Sequence, residues 1–176
     1  CRVIGIDLTE TFVDVGRLLD ERTGMDELVE LRVGDVTRLE LGDASVDHAW
    51  TQHAAMNIAD RPGLYRELRR VMKDGGRFAL FDVIDGGGSE LLLPVPWATE
   101  PSQNHLVTRD ELRGLLDDAG FRIELDEDPS AELLPLMEQM LNTPPPETGL
   151  TMAMFIEDIE HKAPNYLRNI SEGRTS

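Results

Sequence analysis

Two rhythms of apolar residues run through the first half of the chain. Short stretches at Val3-Ile4-Gly5-Ile6-Asp7-Leu8, Leu28 to Val33, Val46 to Trp50 and Arg77 to Val83 predict strands. The first, a near-continuous apolar run too short for a helix, is what a parallel sheet covered on both faces requires. Between them the apolar positions recur at helical spacing. Phe12, Val13, Val15, Leu18 and Leu19 predict a helix that Thr9 can cap and Gly24 ends. Leu64, Tyr65, Leu68, Val71 and Met72 predict a second helix, begun by Asp60-Arg61-Pro62 and stopped by Gly75-Gly76. Its solvated side is expected to carry Arg66, Glu67, Arg69 and Arg70. Strand alternating with helix is the signature of an α/β fold.

The second half is less regular. A flexible Asp85-Gly86-Gly87-Gly88 leads into Leu91 to Ala98, where Pro94 and Pro96 exclude a central strand. Thr108 and Glu111 form a capping box for a helix over Arg109 to Ala119, ended by Gly120 and followed by a short strand from Phe121 to Leu125. Ser130 is expected to cap a helix from Ala131 to Asn142, which Thr143-Pro144-Pro145-Pro146 breaks. A last helix is predicted from about Thr151 to His161 or Asn169, with no closing strand evident beyond Gly173. Met137, Met140, Met152 and Met154 suit either an adaptable apolar binding wall or the filling of a core or interface.

Composition narrows the function classes. The 176 residues carry 34 acidic against 17 basic side chains, a net charge of −17, so a nucleic-acid partner would be repelled from most of the surface. Lys73 and Lys162 are the only lysines. The lone Cys1 excludes an internal disulfide and a cysteine-rich metal site, and His48, His53, His105 and His161 lack the spacing of zinc ligands, so no metal is expected. No apolar run approaches the length of a membrane span, and the first residues do not read as a secretion signal. A cytoplasmic location follows by default.

The candidate chemistry lies at strand ends. Asp7 closes the first strand, where ligands approach open α/β sheets, and a carboxylate there can accept from both hydroxyls of a ribose; it can equally favour the dipole of the following helix. Asp35, in Gly34-Asp35-Val36 after the second strand, can accept from an exocyclic amino group while the Val36 N–H donates to a neighbouring ring nitrogen. A turn acid bonding its own backbone is the alternative for Asp35. Thr51-Gln52-His53 follows the third strand, with His53 a candidate general base or a packing residue. Trp97 is a pocket wall or an apolar plug beneath a loop.

The segments VIGIDL, GDVTRLEL, SVDHAWTQHAAMNI and YRELRRVMKDGGRFALFDV together resemble successive motifs of the S-adenosylmethionine-dependent methyltransferases with a Rossmann-like seven-strand sheet. The small-molecule group of ubiquinone-pathway, sarcosine/dimethylglycine and sterol-type enzymes is the nearest in flavour. The resemblance implies a mostly parallel sheet with helices on both faces, and S-adenosylmethionine as cofactor. By the same resemblance Asp7 holds the ribose, Leu8 packs on the adenine, and Gly34, Asp35 and Val36 read the adenine edge. Thr51 and Gln52 meet the methionine end. His53, Met56, Asn57 and Trp97 face a small-molecule acceptor, with His53 catalytic if the acceptor is a carbon acid or hydroxyl.

One departure stands out. Family members place a strand and a glycine-rich loop before the motif at Val3, and nothing precedes Cys1. The expectation is therefore a sheet missing its first strand, unpaired backbone and exposed apolar surface at the gap, and impaired methyl transfer in a truncated chain. The expected domains are an incomplete methyltransferase core over residues 1–128, with a substrate-side insertion at 86–107, and a helical extension over 129–176. Two rival readings remain open. One is a non-catalytic remnant that binds a partner or forms a homodimer through the gap. The other is a nicotinamide-dependent oxidoreductase, against which the second acid and the Gly75-Gly76 turn argue.

Overall fold

The computed structural model describes residues 1–143, 151, 153 and 156–176. Strands β1 (Val3–Asp7), β2 (Val29–Val33), β3 (Val46–Gln52) and β4 (Met72–Phe81) alternate with helices α1 (Glu10–Thr23) and α2 (Arg61–Val71). Helices α3 (Arg109–Asp118), α4 (Ser130–Asn142) and α5 (Ile159–Ser171) follow. The architecture is the expected α/β one. β1 and β2 pair in parallel, and β3 with β4 makes a second two-stranded sheet. The chain divides into two compact units, one of residues 1–50 and 60–79 and one of residues 51–59 and 80–176.

The first unit is built on the β1–α1–β2 turn. Leu31 of β2 lies where a Cβ on Gly5 or Gly16 would fall within 2.5 Å of its methyl carbons, so glycine at both places lets β1 and α1 close on it. Arg17 of α1 donates to the Leu31 carbonyl through Nε and Nη2 at 3.0 and 2.7 Å. Thr9 occupies the N-cap of α1, but its side chain makes no capping bond. The Asp7 carboxylate instead accepts the Thr9 N–H at 2.7 Å. Gly24, at φ 71°, ends the helix in the left-handed conformation expected of it.

The two predicted stripes fare differently. Leu64, Tyr65, Leu68, Val71 and Met72 are all buried, so the α2 stripe is core. Of the α1 stripe only Val13 is buried, while Phe12, Val15, Leu18 and Leu19 are each about half exposed or more. Val3, Ile4 and Val33 are exposed as well, and no ladder joins the β1–β2 sheet to another strand among the described residues.

Helix α2 begins as expected, with the Asp60 carboxylate accepting the Gly63 N–H at 2.9 Å. It ends earlier. The carbonyls of Arg70 and Val71 accept from the Ala44 and Ser45 amides at 2.9 and 2.8 Å, so they are not available to the next helical turn. Met72 is already extended, and Gly75-Gly76 falls inside β4 rather than stopping the helix. A Cβ on Gly76 would stand 2.5 Å from the Asp47 carbonyl oxygen, which explains a glycine at that close approach.

In the second unit, the Thr108–Glu111 capping box of α3 forms in full. Phe121 to Leu125 is not a strand, because it has no ladder partner among the described residues, and Leu125 is 75% exposed. Helix α4 starts one residue earlier than predicted, with Ser130 inside it and its N–H held by the Asp128 carboxylate at 2.9 Å. Helix α5 runs later than predicted. A closing segment does exist. Residues Ile84 and Ser176 exchange both backbone bonds, and Asp85 bridges Thr175 antiparallel and Thr108 parallel. Met140 is exposed, Met137 half-buried, and Met152 and Met154 lie outside the described residues.

Asn169 of α5 is fully buried and holds Leu92 from both sides, accepting its N–H at 2.9 Å and donating to its carbonyl at 3.0 Å. Replacing Asn169 by Leu strands both groups of Leu92, an expected loss of about 2–3 kcal/mol in urea unfolding. Asn169→Asp, which sets a buried carboxylate oxygen against the Leu92 carbonyl, should cost at least as much at neutral pH.

Candidate functional site

The end of the first sheet is set by register. Asp7 pairs with Val33 as the last rung of the parallel ladder, and the Gly34 N–H donates to the Asp7 carbonyl at 2.9 Å. This brings Asp7, Leu8, Gly34, Asp35 and Val36 to one rim of the first unit. A Cβ on Gly34 would lie 3.1 Å from the Ile6 side chain, so the chain crosses closely there.

Both carboxylates are half used. Asp7 Oδ1 accepts from the Thr9 amide, and Asp35 Oδ1 accepts from the Thr37 amide at 2.8 Å and the Thr37 hydroxyl at 2.7 Å. The second oxygen of each has no partner among the described residues, and neither does the Val36 N–H. The Thr37 hydroxyl, then its amide, holds the Asp35 carboxyl below the ordinary aspartate range. Asp35 therefore stays ionised at neutral pH. Leu8, the residue after Asp7 in the chain, is 75% exposed.

The remaining predicted residues belong to the second unit. Thr51 and Gln52 end β3, and Thr51 Oγ1 is buried without a hydrogen-bond partner. His53 takes a positive φ of 50°. Its amide donates to the Phe81 carbonyl at 2.8 Å, and its ring meets the Phe81 ring edge-on at 5.1 Å between centroids. No carboxylate among the described residues bonds that ring, so His53 is placed as a single imidazole and not as half of a dyad. Met56 is 5% exposed on a short 3₁₀ turn (Ala55–Asn57), while Asn57 is exposed.

Two links within this unit were not legible beforehand. The Asp82 carboxylate accepts the Ala54 amide through Oδ1 at 2.8 Å and the Ala55 amide through Oδ2 at 3.1 Å, fixing the segment that carries His53 and Met56. An acid closing β4 was the signal that could have found it, by the same logic that picked out Asp7. The His105 amide donates to the Met56 carbonyl at 3.1 Å, and the preceding Asn104 accepts the Trp97 indole N–H at 3.0 Å. Trp97 is thereby tied to the Met56 segment, and it also packs edge-on against Tyr166 at 5.2 Å between ring centroids. No group of three histidine, cysteine or acidic side chains is placed to hold a metal ion among the described residues.

Comparison with known proteins adds to this geometry. Residues 1–80 match the family model described as a methyltransferase domain. Demethylmenaquinone methyltransferase of Symbiobacterium thermophilum is 34% identical over 77 residues, 44% of this chain and 31% of that protein. The 27-O-demethylrifamycin SV methyltransferase of Amycolatopsis mediterranei is 29% identical over 138 residues, 73% of this chain and 48% of that one. Among solved structures, geranyl diphosphate C-methyltransferase from Streptomyces coelicolor, in complex with Mg2+, geranyl diphosphate and S-adenosyl-L-homocysteine, superposes with a TM-score of 0.78 at 18% identity. That match covers 99% of this chain and 59% of the other. The likeness shows a shared Rossmann-like fold. The chain thus spans less than two thirds of each of the three.

Removing the Asp82 carboxylate frees two amides at once. Asp82→Ala is expected to speed amide hydrogen exchange of residues 53–57 by about tenfold or more, at a cost of about 1–3 kcal/mol in stability. Unchanged exchange there would show that Asp82 does not hold the segment.

Proposed function

We propose that the chain, whose residues 1–80 match the model of a methyltransferase domain, transfers a methyl group from S-adenosylmethionine to a small-molecule acceptor. The observation that carries the proposal is the rim of the first sheet. Two carboxylates and one amide stand there with unused hydrogen-bonding capacity, beside the exposed Leu8. That donor and acceptor set fits an adenosine: Asp7 accepts from the ribose hydroxyls, Asp35 accepts from the exocyclic amine, and Val36 donates to the ring nitrogen beside it. Leu8 covers a ring face.

When bound, S-adenosylmethionine supplies a sulfonium methyl group, an electrophile with a neutral thioether as leaving group. The residues of the chain then have to bind, orient and exclude water more than to act as strong acid or base. In the second unit, the roles proposed for Thr51 and Gln52 are contacts at the methionine end, and the buried, unpartnered Thr51 hydroxyl supports the first of these. His53, Met56, Asn57 and Trp97 are proposed to face the acceptor, an amine, a carbon acid or a hydroxyl. His53 removes the proton from a hydroxyl or carbon-acid acceptor; a neutral amine needs no such base.

A second reading is favoured by one observation, the exposure of Phe12, Val15, Leu18 and Leu19 along α1. A face of this kind suits a binding or dimerisation module, and sedimentation of the chain would reveal self-association.

Calorimetric titration with S-adenosylmethionine tests the main proposal. Asp7→Ala and Asp35→Ala should each weaken binding by about tenfold or more, the loss of a charge-assisted hydrogen bond, while His53→Ala should leave it unchanged. Binding of NADH in place of S-adenosylmethionine would overturn the reading. Because Thr37 lowers the Asp35 carboxyl in the folded chain, the Asp35 contribution is expected to persist through mildly acidic pH. It should fade only as the pH drops below the ordinary aspartate range, so an affinity measured from pH 8 to pH 4 should show no loss of the Asp35 contribution.

A further inference from the structure

Helix α2 was expected to point Glu67 and Arg70 at solvent, yet both are only partly exposed and neither side chain stands free. Arg70 Nη1 donates to the Leu41 carbonyl at 2.8 Å and to Asp43 at 2.7 Å. Its Nη2 donates to the Leu39 carbonyl at 2.9 Å and to Glu67 at 2.7 Å, and its Nε to Glu67 at 2.8 Å. Glu67 Oε2 in turn accepts the Leu39 N–H at 2.9 Å. Both backbone groups of Leu39 are therefore held by this one pair, and the Leu39 side chain is buried.

The stretch that this pair grips is the recognition loop. At its near end the Gly34 N–H is fixed to the Asp7 carbonyl; at its far end Leu39 is fixed to α2. Between the anchors the Arg38 amide closes a turn on the Asp35 carbonyl at 2.9 Å, and Thr37 binds the Asp35 carboxylate. Beyond Asp43, Ala44 and Ser45 cap the last carbonyls of the same helix. The loop between β2 and β3 is thus strapped along the end of α2, and between its anchors one oxygen of Asp35 and the Val36 amide have no partner among the described residues.

We propose that the Glu67–Arg70 pair is a positioning device that sets where Asp35 and Val36 meet the adenine ring, which rests on the adenosine reading above. The choice of side chain supports this. A guanidinium offers a planar fork that reaches two carbonyls and two carboxylates at once, whereas an ammonium carries the same charge without the fork. Solvent screening weakens the charge attraction of a partly exposed pair, but the bonds to the Leu39 and Leu41 carbonyls are backbone contacts whose value is geometric. A pair acting only as a stabiliser would lower the melting temperature and leave base discrimination alone. A positioning pair changes the discrimination itself.

The test compares the full chain with Arg70→Lys and Glu67→Gln, titrated with S-adenosylhomocysteine and S-inosylhomocysteine, well below the melting temperature of each protein. Inosine lacks the amino group that Asp35 accepts from, so the parent should prefer the adenosyl compound by about tenfold or more. Arg70→Lys is expected to bring the ratio of the two affinities close to one, and Glu67→Gln to lower it in the same direction. Amide exchange of residues 36–41 should quicken in both while that of residues 64–68 does not. An unaltered ratio in a folded variant overturns the positioning role, whatever happens to stability. Should Arg70→Lys fail to fold, the ratio in Glu67→Gln decides. A parent chain that binds neither compound overturns the adenosine reading and this inference with it, whereas one that binds and discriminates but is indifferent to both substitutions sinks this inference alone.

Discussion

The last rung of the parallel ladder between Val3–Asp7 and Val29–Val33 is the constraint from which the candidate site follows. Parallel strands end on the same side, so their following loops emerge together. The pairing of Asp7 with Val33, and the bond from the Gly34 amide to the Asp7 carbonyl, fix two acids within one short stretch of rim. A slip of one residue would send the side chains of a whole strand to the opposite face. Leu31, gripped between Gly5 and Gly16 and bonded at its carbonyl by Arg17, holds that register from within. The chemistry at the rim is a consequence of packing two rungs away from it.

How far the sequence disclosed this depends on whether the deciding contact was local. The α2 stripe was legible because helical spacing alone says which face is apolar, and in this unit that face is covered. The α1 stripe was equally regular, but periodicity cannot say what lies against it, and only Val13 is buried. The end of α2 was misplaced because Gly75-Gly76 is a strong local stop, whereas the actual stop is made by the Ala44 and Ser45 amides, some 26 residues away in sequence. Phe121 to Leu125 looked like a strand by composition; a strand exists only where a ladder exists. The reverse error was made at the C-terminus, where polar residues 174–176 carry no strand signal and nevertheless pair with residues 84–86 through backbone alone.

The site divides along the same line. Asp7, Asp35 and Val36 were legible as candidates because an acid closing a strand is visible in one dimension, and the parallel register sets them at the ends of paired strands. Asp82 obeys the same rule and was missed, since its two amide partners lie at Ala54 and Ala55. Glu67 and Arg70 were assigned to solvent on the strength of being charged on a helix. Their partners are the carbonyls and the amide of the loop at Leu39 to Leu41, and a charged residue bonded to backbone leaves no mark in a hydropathy pattern.

That last point bears on why recognition groups sit on loops at all. The interior of a strand or helix uses its amides and carbonyls internally, so backbone donors reach a ligand mainly from loops and element ends, and a loop free to move would lose affinity in ordering itself. The arrangement here reconciles the two requirements with charged side chains from a neighbouring helix. Arg70 and Glu67 hold the backbone of Leu39 and Leu41, and leave the Val36 amide and one oxygen of Asp35 without a partner among the described residues. Asp82 does the same for the segment after β3, using both carboxylate oxygens on backbone amides while the His53 ring stays free of any carboxylate among the described residues. In both places rigidity is supplied by residues that do not meet the ligand. The residues proposed to meet it are left with open valences, and this division of labour is what distinguishes a preorganised loop from an ordinary well-bonded turn.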